Sequence, residues 1–171
     1  MLDLLYKRRS IRKFTDEILS DEITEKLKQS LLLSPTSQNK KASRFIFVSD
    51  PELIRKTASA KAHGMKAVET APLLIAVVGL SDITDVWVED CSIASIVVQL
   101  EAESLGLGSC WLQMRKRKTD DGGSSEEYMH KLLKLKENEK IESLIAVGYP
   151  AEQLRAHTKD ELDFSRIENI S

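Results

Sequence analysis

Arg8-Arg9-Ser10-Ile11-Arg12-Lys13-Phe14 is the stretch around which the rest of this chain is organised. It places three guanidinium groups, one ammonium and one hydroxyl within six residues, directly after an apolar turn that can anchor it to a core (Leu2, Leu4, Leu5). A planar guanidinium pairs with two phosphate oxygens, and a small hydroxyl donates where a bulkier donor does not fit. Taken alone, a short basic run is more often a solvated surface. The remainder of the sequence has to distinguish these two interpretations.

The composition favours a single globular domain and argues against a dedicated nucleic-acid binder. The 171 residues are 42% hydrophobic and 30% charged, with a formal net charge of −2. A chain of this length buries a substantial core without disulfide bonds. Nucleic-acid-binding domains are usually strongly basic, so we expect no nucleic-acid partner, and any anion site must be a local cluster.

The cysteines and the N-terminal segment predict a cytoplasmic protein. Cys91 and Cys110 are the only cysteines, and both lie in apolar segments, which argues against a disulfide framework or a thiolate metal site. Residues 1–5 carry an acid where a secretion signal has positive charge. No window approaches the ~18 apolar residues that a membrane helix requires. We therefore expect no membrane partner and no metal.

Hydrophobic periodicity predicts four strands and four main helices. Short β-branched or aromatic runs predict strands at residues 44–49, 72–79, 109–114 and 141–147. Capping residues and apolar spacing at threes and fours predict helices at residues 20–33, 50–60, 86–105 and 125–135. The third helix is apolar nearly all round, which requires burial in the core or in a subunit interface. Residues 34–41 form a polar loop with many hydrogen-bond donors, and residues 61–70 are ambiguous because Gly64 interrupts a helical pattern.

Four landmarks stand in order along the chain. They are the basic stretch, Ser-Pro-Thr-Ser-Gln-Asn at 34–39, Gly-Leu-Gly-Ser-Cys-Trp at 106–111 and Val-Gly-Tyr-Pro at 147–150. Each is weak alone, but together they resemble the nitroreductase family of FMN-dependent oxidoreductases over nearly the whole chain. The resemblance implies an α+β fold, with a mostly antiparallel central sheet flanked by helices, in an intertwined homodimer. It further implies one FMN-binding domain over residues 1–171, a central dimer helix at 86–105, and a tail that extends onto the partner subunit from about residue 151.

The resemblance also implies which residues bind FMN, at the positions where the motifs match. The residues similar to those that grip the flavin's phosphate and ribityl chain are Arg8, Arg9, Ser10 and Arg12. Arg8 is also placed to reach the pyrimidine edge of the ring. The residues that resemble the loop approaching the flavin from the partner subunit are Pro35, Thr36, Ser37 and Asn39.

The activity that the resemblance implies is a ping-pong oxidoreduction. NADH or NADPH passes hydride to the flavin and leaves, and a nitroaromatic, quinone or similar small-molecule acceptor then takes the electrons. The chemistry belongs to the cofactor, so no catalytic side chain is predicted. The connection between Val78 and Asp90 is short, about a dozen residues, which predicts a relatively open flavin face.

Two functions of other classes remain open at this point. A sensor or carrier on the same fold would bind flavin without turnover. A nucleotide- or nucleic-acid-binding module using residues 8–13 and 115–118 would be colourless, with salt-sensitive nucleic-acid affinity. The run at 115–118 is more simply interpreted as solvated surface beside two aspartates, and Cys110 as a small buried hydrophobe instead of a redox group.

Overall fold

An antiparallel sheet forms the centre of the protein. The structure, a computed structural model, describes residues 1–170. Among these residues, four strands pair in the order β1-β2-β4-β3, and each neighbouring pair is antiparallel. The strands are β1 (Ser43–Val48), β2 (Leu73–Leu80), β3 (Gly108–Gln113) and β4 (Glu139–Gly148). The predicted α+β class is confirmed, and each predicted strand lies within two residues of the observed bounds.

The two central strands explain why the strand predictions succeeded. β2 is buried along all but its last residue, and β4 along all but one. A strand covered on both faces is a continuous apolar run, which is what residues 72–79 show. β4 begins two residues earlier than predicted because Glu139, an unexpected residue for a buried strand, is held by Arg44. The Arg44 Nη1 atom donates to both carboxylate oxygens at 2.8 and 2.9 Å, which offsets the cost of burying that charge.

The helices cover both faces of the sheet. They are α1 (Leu2–Lys7), α2 (Asp21–Leu32), α3 (Pro51–Thr57), α4 (Trp87–Ser104) and α5 (Ser125–Leu132). The long helices α2 and α4 pack on one face, whereas α3 and α5 contribute to a separate core on the other. Three of the four predicted helix starts carry N-caps, in which the side chains of Ser20, Asp50 and Ser124 accept backbone N–H groups, whereas α4 has no side-chain cap. No helix in residues 1–170 has the length and apolar character needed to cross a membrane.

The N-terminal residues differ from expectation. They form helix α1 instead of a turn, and none of its residues is buried. Leu2 and Leu5 are 63% and 45% exposed, so their apolar side chains do not anchor the basic stretch to the core of this chain. The ambiguous segment at 61–70 is also resolved, as a bend with Gly64 at φ 80° followed by a short 3-10 turn at Lys66–Glu69.

The C-terminal tail lies on the outside of the protein. From residue 151 to 170 its only regular structure is two 3-10 turns, Lys159–Glu161 and Phe164–Arg166. Its large apolar side chains are exposed in this chain: Leu162 by 43%, Phe164 by 61% and Ile167 by 64%.

Candidate functional site

The basic segment, residues 8–14, is fixed by its main chain where β3 begins and β4 ends. Ser10 pairs with Ser109 in an isolated parallel bridge, and the amide of Ile11 donates to the Ser109 carbonyl at 3.0 Å. Further along, Phe14 bridges Pro150 in the antiparallel sense. The sequence landmarks at 8–14, 106–111 and 147–150 therefore meet at one end of the sheet, although they are far apart in the chain.

Two glycines permit this close approach. A Cβ on Gly108 would lie 2.8 Å from the Cβ and Cγ2 atoms of Ile11. A Cβ on Gly148 would lie 2.6 Å from Pro72 Cδ and 3.1 Å from Phe14 Cδ1. Contacts this short require a displacement of the neighbouring group, so these landmark glycines are needed to seat the basic segment.

The cations of the basic segment have no carboxylate partner in this chain. Among residues 1–170, none of the side chains of Arg8, Arg9, Arg12 and Lys13 forms a salt bridge. The guanidinium of Arg9 donates to the Arg155 carbonyl, and Arg12 Nη1 donates to the Ser10 carbonyl at 3.0 Å. Since Arg8 and Arg9 are half-buried, their uncompensated charge favours an anionic ligand.

Glu152 is the carboxylate closest to this main chain, and it binds amides instead of guanidiniums. Its Oε1 atom accepts the backbone N–H of Arg12 at 2.5 Å and that of Lys13 at 3.1 Å. The contact fixes the backbone direction through the segment. It leaves the guanidinium of Arg12, which is exposed, available to a ligand.

A further cation, Lys61, acts on the same buried thiol as the cations of the basic segment, and the sequence interpretation missed it. Burial, reinforced by the neighbouring charge of Arg117, lowers the pKa of Lys61. Burial raises the pKa of the Cys110 thiol, whereas the positive charges of Arg12, Lys61 and Arg8 act to lower it. Lys61 lies in the segment whose sequence pattern was ambiguous. No local pattern links two residues that meet only through the fold.

The run at 115–118 is not a uniform basic surface. The Arg115 guanidinium lies 5.6 Å from the ring centroid of Trp87, and its Nε atom lies 4.0 Å from Glu142 Oε2. Lys116 and Lys118 are exposed, as the solvated interpretation expects. Arg115 is thus engaged with α4 and β4, whereas the three cations that follow it, Arg117 among them, are exposed.

The polar loop, residues 34–41, has a strained backbone held by hydrogen bonds. Gln38, Asn39 and Lys41 have φ of 52°, 54° and 53°, in the left-handed region that costs a non-glycine residue about 1–2 kcal/mol. The Lys41 amide donates to Thr36 Oγ1 at 3.0 Å, and the Asn39 amide to the Thr36 carbonyl at 3.0 Å. The Ser37 amide donates to Asp90 Oδ1 at 2.9 Å, which ties the loop to the start of α4.

The predicted site residues fall into two groups that one chain does not bring together. The basic segment lies near the end of α4, where Lys7 and Arg8 lower the pKa of Glu103 against the larger effect of burial, which raises it. The polar loop is bonded to Asp90 at the other end of the same helix. Positions 90 and 103 are separated by roughly 20 Å at ~1.5 Å per helical residue. The first group is Arg8, Arg9, Ser10 and Arg12, and the second is Pro35, Thr36, Ser37 and Asn39.

Comparison with known sequences identifies relatives over almost the whole chain. The sequence model of the family described as "Putative TM nitroreductase" matches residues 1–171. An Archaeoglobus fulgidus protein named "Putative NADH dehydrogenase/NAD(P)H nitroreductase" is 33% identical over 166 residues, covering 95% of this chain and 88% of that protein. A protein of the same name from Methanothermobacter thermautotrophicus is 32% identical over 170 residues, covering 98% of this chain and 85% of its own length.

Solved structures share the fold. An FMN-dependent nitroreductase from Clostridium difficile R20291 has a TM-score of 0.97 at 35% identity and covers 100% of this chain and 99% of its own. A Desulfovibrio desulfuricans protein described as "a putative nitroreductase in complex with fmn" has a TM-score of 0.79 at 24% identity, covering 99% and 96% of the two chains. At that identity it shows a shared fold alone. The family match, the curated relatives and the architecture agree with the four landmarks, and this chain belongs to the nitroreductase family of oxidoreductases.

Proposed function

We propose that the protein is an FMN-dependent NAD(P)H oxidoreductase that reduces nitroaromatics, quinones or similar small molecules. The observation that carries the proposal is the group of guanidiniums without carboxylate partners on a main chain fixed to β3 and the end of β4. A phosphate monoester carries about −1.5 to −2 charge at pH 7, which matches two or three such cations. The residues present therefore fit the phosphate end of FMN, and the name of the Clostridium difficile R20291 structure, an FMN-dependent nitroreductase, supports the same cofactor.

The residues of the basic segment would hold the cofactor by charge and hydrogen bonding. Arg8, Arg9 and Arg12 would bind the phosphate and ribityl chain, with the Ser10 hydroxyl as a small donor between them. Arg8, a half-buried cation whose charge acts on Glu103, is also assigned to the pyrimidine edge. When bound, FMN supplies the redox chemistry, accepting hydride from NADH or NADPH and passing electrons to the acceptor in ping-pong order. The protein itself would bind the cofactor, orient it and provide the charges around it.

The second half of the proposed site comes from another copy of the chain. Pro35, Thr36, Ser37 and Asn39 would border the flavin held by the partner's basic segment. Two copies packed with antiparallel α4 helices would bring the start of one helix beside the end of the other. This arrangement joins the two groups that a single chain keeps apart.

Exposed apolar surface supports a homodimer. Ile93 and Ile96 on α4 are 39% and 37% exposed, although they lie on the longest helix of the described chain. The tail adds Phe164 and Ile167, which are exposed in one copy. Burying such side chains between copies is favourable by about 25 cal/mol per Å² of apolar area. We assign the tail from about residue 151 to the surface of the partner subunit, within a single FMN-binding domain of residues 1–171.

Two features bear on substrates and compartment. The connection from the end of β2 to the start of α4 is only residues 81–86, which supports a flavin face open to varied small acceptors.

Cys91 and Cys110 are both free and buried, which suits a reducing, cytoplasmic compartment.

The proposal is tested by purifying the protein and measuring its flavin content and turnover. We expect a yellow protein with one FMN per chain, bleached by NADH or NADPH without oxygen, and steady oxidation of that donor when a quinone or nitroaromatic is present. Bound flavin without turnover would instead indicate a sensor or carrier. A colourless protein with salt-sensitive nucleic-acid affinity would contradict the flavin assignment itself.

A further inference from the structure

Asp90 is a buried carboxylate in the first turn of α4, and its hydrogen bond leads to the polar loop. The residue is 3% exposed, and its Oδ1 atom accepts the Ser37 amide at 2.9 Å. Its Oδ2 atom is buried without a hydrogen-bond partner among residues 1–170. An acid in this turn complements the helix dipole, but the exposed Glu89 beside it does so without the cost of burial. Stability of α4 alone does not explain a buried acid here.

Ser34, at the start of the polar loop, is hydrogen-bonded to Leu31 and Ser30 of α2, but the strained residues beyond it depend on the Asp90 bond for their position. Three residues of the loop hold left-handed backbone conformations, which are unfavourable for side chains other than glycine. The other hydrogen bonds of residues 35–40 in the described chain stay within the loop, where oxygen atoms of Thr36 and Ser37 accept them. The Ser37 to Asp90 contact is therefore the hydrogen bond that connects this strained segment to another element.

We propose that Asp90 is a positioning residue for cofactor binding. It holds the polar loop in the conformation that presents Thr36, Ser37 and Asn39 to the flavin, and it acts through the Ser37 amide instead of touching FMN. This inference rests on the proposed function, because the polar loop contacts a flavin only if the protein binds FMN as proposed. It also explains why a strained loop backbone and a buried carboxyl group occur together at the start of α4.

The test compares three variants for FMN affinity and for amide hydrogen exchange at residues 36–41, with and without FMN. Asp90→Ala removes the acceptor, and we expect FMN affinity to fall about tenfold or more and loop exchange to rise. Asp90→Asn keeps a carbonyl oxygen for the Ser37 amide, so both readouts should stay within about threefold of wild type. Asp82→Ala is the control, since this exposed aspartate also accepts one hydrogen bond from a residue distant in the chain, Asn138 Nδ2 at 2.9 Å, but none from the polar loop.

The outcomes separate a positioning role from a merely structural one. Exchange that rises throughout α4 and the sheet, or an Asp90→Asn variant as weak as Asp90→Ala, would overturn the proposal. Unchanged loop exchange, or faster loop exchange with normal FMN affinity, would overturn it as well. Wild-type protein that binds no FMN would contradict the proposed function itself, whereas normal wild-type binding with an unaffected Asp90→Ala variant would contradict only the role of Asp90.

Discussion

The basic segment and the polar loop lie at opposite ends of α4 and keep their shapes by different means. None of residues 8–14 has a positive φ, and the segment is bridged to Ser109 and Pro150 while its cations lack carboxylate partners. The polar loop has three left-handed residues, and its predicted contacts are neutral. One region thus combines relaxed backbone with uncompensated charge, and the other combines neutral donors with a strained backbone.

This difference matches the two ends of FMN. A phosphate is recognised by charge and bidentate hydrogen bonds, whereas a flavin ring edge is recognised by the placement of neutral donors and acceptors. Substitutions that remove charge should therefore act at the basic segment, and substitutions that change backbone freedom should act at the loop. The predictions below test this division.

Loss of charge at the basic segment should have the largest effect. Arg8→Ala combined with Arg12→Ala removes two cations from the proposed phosphate site. At about 1.5–3 kcal/mol for each hydrogen bond to a charged group, FMN affinity should fall roughly 100- to 10,000-fold. Fluorescence titration of the flavin-free protein measures this. Thermal stability measured with FMN should fall as well, because the ligand stabilises only the folded state.

A control double variant tests whether this effect is specific. Lys26 and Lys56 are surface lysines whose side chains are 46% and 52% exposed, each paired with a glutamate four residues away. Replacing both with alanine removes the same charge from the protein and should leave FMN affinity unchanged. Equal losses in the two double variants would mean that net charge, and not the basic segment, controls binding.

Adding a side chain at Gly108, where the basic segment packs, should have the next largest effect. A Cβ in Gly108→Ala would lie 2.8 Å from Ile11, and overpacking of this kind costs about 1–3 kcal/mol of unfolding free energy. FMN affinity should fall with it, because Ile11 lies between Ser10 and Arg12. Gly106→Ala is the comparison: its Cβ meets nothing within 4 Å, and only its φ of 75° is strained. If Gly106→Ala weakens FMN binding more than Gly108→Ala does, the packing of Ile11 against Gly108 is not what orders the basic segment.

A smaller effect is expected from Glu103, and it should depend on pH. Burial raises the pKa of this carboxyl, so the stability it contributes is present at low pH and is lost as pH rises through its folded-state pKa. Above that pKa, Glu103→Gln removes a negative charge beside Arg8, and it should stabilise the protein and tighten FMN binding about two- to threefold. Below it, variant and wild type should converge. Chemical denaturation and FMN titration across pH measure both quantities.

The control for this variant is Glu137→Gln, an exposed residue just before the start of β4, at the other end of that strand from the basic segment. It should change FMN affinity at no pH. A gain of the same size in Glu137→Gln, or a gain in Glu103→Gln that persists at low pH, would show that the effect does not come from the charge beside Arg8.

The smallest effect should come from relieving strain in the loop. Gln38 is exposed and has a φ of 52°, so Gln38→Gly should raise the free energy of unfolding by up to about 1 kcal/mol relative to Gln38→Ala. The measurement is a pair of denaturation curves. A Gln38→Gly variant that is less stable than Gln38→Ala would mean that the left-handed backbone carries no strain.

The outline of this fold was predictable because the residue pattern of each core strand indicates that the strand is buried. Residues 72–79 are apolar without interruption, which occurs when a strand is covered on both faces, as β2 is. Glu139 was missed at the start of β4 because its burial depends on Arg44, which lies 95 positions away. Local pattern therefore determined the elements, whereas charge pairs across the sheet required the fold.

The candidate site was predictable in its parts and not in its arrangement. The basic stretch and the polar loop were visible as residue types, but Lys61 comes near the basic segment only through the packing of a distant loop. The role of Asp90 was also not predictable from the sequence, since an acid in the first turn of a helix is ordinarily explained by the helix dipole. Its bond to Ser37 spans 53 positions.

Each proposed FMN site joins the basic segment of one chain to the polar loop of another. A mixed dimer tests it directly: one chain carries Arg8→Ala with Arg12→Ala, the other carries Thr36→Ala with Asn39→Ala, and different tags allow the heterodimer to be isolated. Each parent homodimer has a defect in both of its sites, whereas the heterodimer has one intact site and one site with both defects. We expect one FMN per heterodimer, bound with wild-type affinity. A heterodimer that binds FMN no better than its two parents would contradict it.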